Sequence, residues 1–306
     1  MKKFNIVSFK KKTVILLVAA LILIVASQWW TIRMIYAKKF TGDVATLFAR
    51  IYHLSAGNVI NSSGNINIAL ADYISDENFA FDYLKKQATA QGEEFTTSDQ
   101  QVKEIAWDKI LRQTWVASIA KNNKITINDQ DIADFYESMG GKDNLQQGLQ
   151  KAKINVSDYE NFVVRPAIRE ARVYKYLLDN FNDLAGMQKA QNAYQALVDN
   201  KKDFGEVAKE FSDDMTYVED SMFVNTDQLG EFGEPIKNLQ PGEYTKIMTL
   251  PGNPSYYIIW RLQGNSIDPE TKQEVKELRG IAIKAKSMDE FFSDWKNNSQ
   301  INQWYK

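Results

Sequence analysis

Apolar positions follow three successive rules along this chain. From Thr13 to Trp30 the run TVILLVAALILIVASQWW is apolar except for Thr13, Ser27 and Gln28. As a helix it would span roughly 27 Å at about 1.5 Å per residue, close to the hydrocarbon thickness of a bilayer. Lys2, Lys3, Lys10, Lys11 and Lys12 precede it, and Arg33, Lys38 and Lys39 follow more thinly. That bias puts the N-terminus in the cytoplasm and the rest outside. The pattern predicts a basic cytoplasmic segment over 1–12 and a transmembrane anchor over 13–32 in a single-pass cell-membrane protein with an extracytoplasmic bulk. The alternative is a cleaved signal peptide ending at Val25-Ala26-Ser27. Both readings export the rest of the chain.

The rule then changes to alternation. In NVINSSGNINIALADYI, Ile60, Ile66 and Ile68 flank an Asn-Ser-Ser-Gly-Asn turn, which predicts a hairpin or a paired strand. From Asp76 to Phe181 the spacing is helical: Val102, Ile105, Ala106 and Ile110, then Trp115, Val116 and Ile119. Thr126-Ile127-Asn128-Asp129 reads as a cap for the helix DQDIADFYESM, which stops at Gly140-Gly141. A longer helix, YENFVVRPAIREARVYKYLLDNF, has to accommodate Pro166 with a local kink. Beyond it MQKAQNAYQALVDNKKDFGEVAKEFSDD predicts two helices, and NLQPGEYTKIMTLPGNPSYYIIWRLQG a Pro-Gly turn followed by two strands. In the tail, Phe291, Phe292 and Trp295 share one face of an amphipathic helix.

Composition narrows the chemistry. The 306 residues hold 37 Lys plus Arg against 39 Asp plus Glu, without the clustered basic face that a nucleic-acid partner requires. There is no cysteine and one histidine, His53. Cys/His metal sites, a cysteine nucleophile and disulfides are thereby excluded. No G-x-S-x-G, phosphate-binding glycine loop or H-E-x-x-H is present, and no cofactor or metal is expected. His53, alone beside the N-terminal segment, reads as a surface residue.

Two resemblances follow from the ordered motifs. VINSSGNINIALADYI, then VKEIAWDKILRQTWVASIAKNNKITINDQDIADFY, then LQKAKINVSDYENFVVRPAIREARVYKYL resemble the N-terminal chaperone domain of SurA-type proteins. Asp203-Phe204, Val207-Ala208, Phe211-Ser212-Asp213, Phe232, Leu239-Gln240-Pro241-Gly242-Glu243 and Tyr257-Ile258-Ile259 resemble a parvulin-type (PpiC-like) peptidyl-prolyl isomerase domain. Together they imply an α+β protein of the SurA/PrsA foldase type. The expected order is a transmembrane helix, a mostly helical domain over 45–183, a small parvulin-like α/β domain with an antiparallel-containing sheet over 187–286, and a C-terminal amphipathic helix over 287–306.

The departures are specific. Parvulins carry a histidine in an opening strand and another in the closing strand. Here Tyr257 stands at the closing position. The opening strand resembles Leu278-Arg279-Gly280-Ile281-Ala282-Ile283-Lys284, displaced to the end of the domain with Gly280 at the histidine position. The displaced segment is expected to pair within the sheet. VEDSMFVN replaces the family's glycine-pair loop. By resemblance, Asp214 takes the place of the catalytic acid or thiol, Tyr257 that of a histidine, and Phe232, Met248, Met222 and Phe223 line a prolyl pocket. Each also has a plain structural reading: core residues for Phe232 and Met248, a solvated loop for Asp213 and Asp214, a half-buried strand tyrosine for Tyr257.

The function expected is an extracytoplasmic, membrane-tethered chaperone for unfolded or partly folded exported polypeptides, with isomerase activity weak or lost. An active isomerase and a non-catalytic assembly scaffold are the alternatives. Self-association is left open.

Overall fold

The computed structural model describes residues 25–37, 42–62, 64–180, 183–226, 229, 233–250, 255–268 and 272–305. The fold is α+β, with antiparallel pairing throughout the described sheets. The chain forms two compact units. The first takes in the described residues up to Ser118, together with Ile127–Ile168 and the segment from Asn298 onward. The second comprises Ile119–Thr126 and Arg169–Asn297.

The membrane-spanning helix is a correction. Among the described residues, no helix is long and apolar enough to cross a membrane. Helix α1 (25–36) contains residues 25–32 of the expected anchor and continues past its end. It carries Gln28, Thr31 and Arg33, whereas a span needs about 20 predominantly apolar residues. Its last turn is tied to protein: Ile35 is fully buried, and the Tyr36 hydroxyl donates to the Ser55 carbonyl at 2.7 Å. Residues 13–24 lie outside the described residues.

In the first unit, α2 (Gly42–Ile51) leads into the hairpin β1 (Ser55–Asn61) and β2 (Gly64–Ala69). The helices α3 (Leu70–Gln91), α4 (Asp99–Asn122, its end from Ile119 belonging to the second unit), α5 (Asp129–Ser138), α6 (Lys142–Lys151) and α7 (Val156–Tyr159) follow. The Asn128 side chain accepts from Asp131 N–H at 3.0 Å and its own N–H donates to Asp131 at 2.7 Å, a reciprocal cap that starts α5. The kink expected at Pro166 takes a definite form. Glu160–Val164 is π-helical before α8 (Arg165–Asp179) begins. Proline offers no N–H and its ring would strike the carbonyl four residues back, so widening the turn accommodates both.

The tail holds more than a helix. After α13 (Met288–Asn297), strand β7 (Gln300–Gln303) pairs antiparallel with β1, giving the order β2-β1-β7. Asn302 Nδ2 donates to Asn58 Oδ1 at 2.9 Å, and Asn58 Nδ2 donates to Asn65 Oδ1 at 2.8 Å, so an amide ladder crosses all three strands. Gly57 permits this pairing. A Cβ there would collide with the Asn302 carbonyl oxygen and lie 2.8 Å from the Trp107 ring.

The second unit holds α9 (Leu184–Val198), α10 (Phe204–Phe211), α11 (Thr216–Glu219), β3 (Met222–Val224), α12 (Glu234–Lys237), β4 (Met248–Leu250), β5 (Tyr256–Ile267) and β6 (Glu274–Lys284). Its sheet runs β3-β6-β5-β4. The segment from Leu278 to Lys284, expected to pair in the sheet, pairs with β5 along its whole length; on its other side Leu278 meets β3, and the Ala282 carbonyl accepts from Asp213 N–H at 2.7 Å. On one face Ile258, Trp260, Leu262, Leu278 and Ala282 build a core with Ile236. On the other, Tyr257 packs against Gly186 of α9, and the Arg261 guanidinium lies 5.6 Å from the Phe204 ring centre.

Two glycine substitutions should separate packing from backbone entropy. Gly57→Ala is expected to destabilise the chain by about 1–3 kcal/mol through overpacking at β7. Gly148→Ala, in α6 with nothing within 4 Å of a new Cβ, should stabilise it by about 0.5–1 kcal/mol. Urea titrations of both variants check the opposite signs.

Candidate functional site

The second unit's sheet carries an apolar cavity of 180 Å³. Its floor is Ile258 and Trp260 from β5 and Leu278 from β6; its walls are Met222 and Val224 from β3, Ile236 from α12 and Met248 to Leu250 from β4. Tyr217 of α11 and Leu229 complete it. The period-2 alternation of a strand explains the set. Met222 pairs with Leu278, and Met248 with Ile258, so these four side chains share one face. A cavity of about 150 Å³ admits benzene, so this one takes a proline ring or one aliphatic side chain.

Gly280 and Tyr257, the positions at which the sequence resemblance expects histidines, lie in different surroundings. Gly280 lies opposite Trp260, and a Cβ there would stand 2.9 Å from two atoms of the indole and 3.0 Å from Ile258. Trp260 therefore covers the place that a side chain at 280 would need. Tyr257 is fully buried on the opposite face, and its hydroxyl has no hydrogen-bond partner among the described residues. Burial, with Asp183 nearby, pushes that hydroxyl well above the usual tyrosine range. It stays a neutral phenol and does not reach the cavity.

Asp214 meets Tyr256 rather than Tyr257. The Tyr256 hydroxyl donates to Asp214 Oδ2 at 3.0 Å, and Thr216 N–H donates to Oδ1 at 3.0 Å. The Thr216 backbone and hydroxyl, then Tyr256, hold the Asp214 carboxyl below the usual carboxylate range. Burial and the bond to Asp214 push Tyr256 up to about 12. The pair adjoins the cavity through Tyr217, whose ring stands edge-on to Tyr256 at 5.6 Å and to Trp260 at 5.8 Å. Asp213 braces the end of β6, accepting from Lys284 N–H at 2.9 Å and pairing with Lys189.

Of the residues singled out from the sequence, Met222 and Met248 line the cavity. Phe223, between two cavity-facing neighbours, points the other way and is 59% exposed. Phe232 lies outside the described residues. Tyr217, Ile258 and Trp260 were missed. The alternation of YYIIWRL could have flagged the last two once Met248 was paired with Ile258, but both faces of β5 are apolar and the phase is not readable alone. His53 is an exposed residue of the first unit, just past the end of α2, with a positive φ of 49°. Among the described residues no three His, Asp or Glu side chains come together to hold a metal.

The cavity thus offers desolvation and shape, and one adjoining hydrogen-bonded acid–phenol pair. None of its lining residues carries a charge. Compared with known protein families, characterised proteins and solved structures, the chain gives no match.

Two outcomes test this geometry. Gly280→His should destabilise the second unit, by about 1–3 kcal/mol or more, because the indole has to leave β6. For Tyr256, a raised folded pKa means its stabilising effect is full below pH 10 and is lost as pH rises through about 12. In thermal melts from pH 9 to 12, Tyr256→Phe should therefore lose stability less steeply than the parent chain.

Proposed function

We propose that this chain is a polypeptide-binding chaperone or foldase of the SurA/PrsA kind whose second unit captures apolar side chains of unfolded clients without catalysing prolyl isomerisation. The observation that carries it is the cavity on the β3-β6-β5-β4 sheet, apolar on every side, with Trp260 lying over Gly280. The sheet order also supports the reading, since the displaced segment from Leu278 takes a central position. The Lys-flanked apolar run 13–30 supports a location outside the cytoplasm for the rest of the chain.

Magnitudes favour holding over tight binding. Burying one Leu-sized side chain is worth about 1.5–3 kcal/mol, far short of the roughly 8 kcal/mol of a micromolar complex. A client is therefore held weakly and released readily unless several contacts act together. Isomerisation asks for more, because the uncatalysed barrier is about 18–20 kcal/mol and only interactions stronger in the twisted state lower it. A dry apolar cavity contributes some of that. No charged residue lines it.

The second reading, an active isomerase, rests on the Asp214–Tyr256 pair beside the cavity. A protease-coupled assay on a prolyl peptide separates the two. The expected result is a rate at background, with aggregation of several unrelated unfolded proteins suppressed and that suppression reduced at least tenfold in potency by Val224→Trp, which fills the cavity. Isomerisation above background that Asp214→Asn abolishes would establish the enzyme instead. Suppression unaffected by Val224→Trp would remove the cavity from the account.

A further inference from the structure

The first unit ends its small sheet on an open edge. Strand β2 pairs with β1 on one side and, among the described residues, with no strand on the other; its residues Gly64, Asn65, Asn67 and Ala69 are exposed. Edge strands of this length are ordinarily guarded by a lysine, a proline or a bulge. The sequence GNINIA has no charge and no proline; its pairing with β1 is regular from Gly57 to Asn61 and shifts once, between Ser55 and Gly57 at the Ala69 end. Half of its backbone N–H and C=O groups face away from β1. Counting outward from the Asn61–Gly64 pair, the groups of Asn65 and Asn67 are among these.

A row of alternating donors and acceptors about 3.4 Å apart per residue complements one chemical object, another extended backbone. We infer that the β2 edge takes an extended, uncharged segment of a foreign polypeptide as an added strand, with apolar residues alternating with amide or hydroxyl residues. Its apolar side chains fall on the face shared by Ile66 and buried Ile68; its polar ones fall beside Asn65 and Asn67. The sheet already does this once. β7, more than two hundred residues away in sequence, is held on the far edge of β1 by strand pairing, with the Asn302–Asn58 amide bond beside it.

A second copy of this chain is the other candidate. Six paired residues bury far less than the roughly 1,200–2,000 Å² of a stable dimer. A transiently held strand has no such requirement. The edge belongs to the first unit, and the inference stands apart from the cavity of the second.

The test uses the whole chain and a fluorescent eight-residue peptide alternating threonine and valine. Anisotropy titration should show binding that weakens at least tenfold when the same peptide is N-methylated at every residue, which keeps its side chains and removes its donors. Asn67→Pro deletes one outward donor of β2 and spares the bonds to β1; with an unchanged circular dichroism spectrum it should weaken binding to a similar degree. Val224→Trp should leave it unchanged. Equal binding of the methylated peptide would overturn the proposal. So would loss to Val224→Trp, or a dimer in sedimentation velocity that Asn67→Pro dissolves, since a second copy would then own the edge.

Discussion

The second unit depends on how β5 and β6 close against each other at Trp260 and Gly280. A twelve-residue strand and an eleven-residue strand pair along nearly their whole lengths, and at their centre the indole lies across a residue with no side chain. With any larger residue at 280, Trp260 must swing away or the strands must part. Because the indole lies there, the face is flat and apolar enough for Met222, Val224, Ile236 and Met248 to wall off a cavity above it.

Parity along β5 then settles the remaining roles. Tyr256, Ile258 and Trp260 belong to the cavity side, whereas Tyr257, Ile259 and Arg261 meet the other face. Asp214 therefore finds Tyr256, and the pair stiffens the loop after α10. Ser212 and Asp213 tie that loop to β6 through Ala282 and Lys284. What looks like an acid beside a phenol is thus part of a brace, and its electrostatics follow: the carboxylate is held ionised and the phenol held neutral.

Much of the fold was legible in the sequence wherever local chemistry decides it. The Asn-Ser-Ser-Gly-Asn turn predicts the β1–β2 hairpin, and Thr126-Ile127-Asn128-Asp129 predicts the start of α5. A kink at Pro166 follows from the missing N–H, though its π-helical form does not. Legibility fails where pairing is distant or phase is hidden. QINQ carries no strand-like apolar alternation, so β7 is defined only by meeting Gly57 and Asn58. YYIIWRL is apolar on both faces, as doubly covered strands are, so the choice between Tyr256 and Tyr257 needs the partner strand. The anchor expected over 13–32 rested on hydropathy; the helix that holds its last residues continues past them to Ile35 and Tyr36, which are bound to protein.

In the proposed function, the sheet cavity of the second unit receives a client's apolar side chain. Methyl NMR of the chain labelled at its eight methionines reports on this directly, because Met222 and Met248 line the cavity. On adding an unfolded, proline-containing client peptide, those two methyl signals should shift together, while Met187 and Met288, buried elsewhere in the same unit, stay in place. A peptide that binds and leaves Met222 and Met248 unmoved would contradict the account.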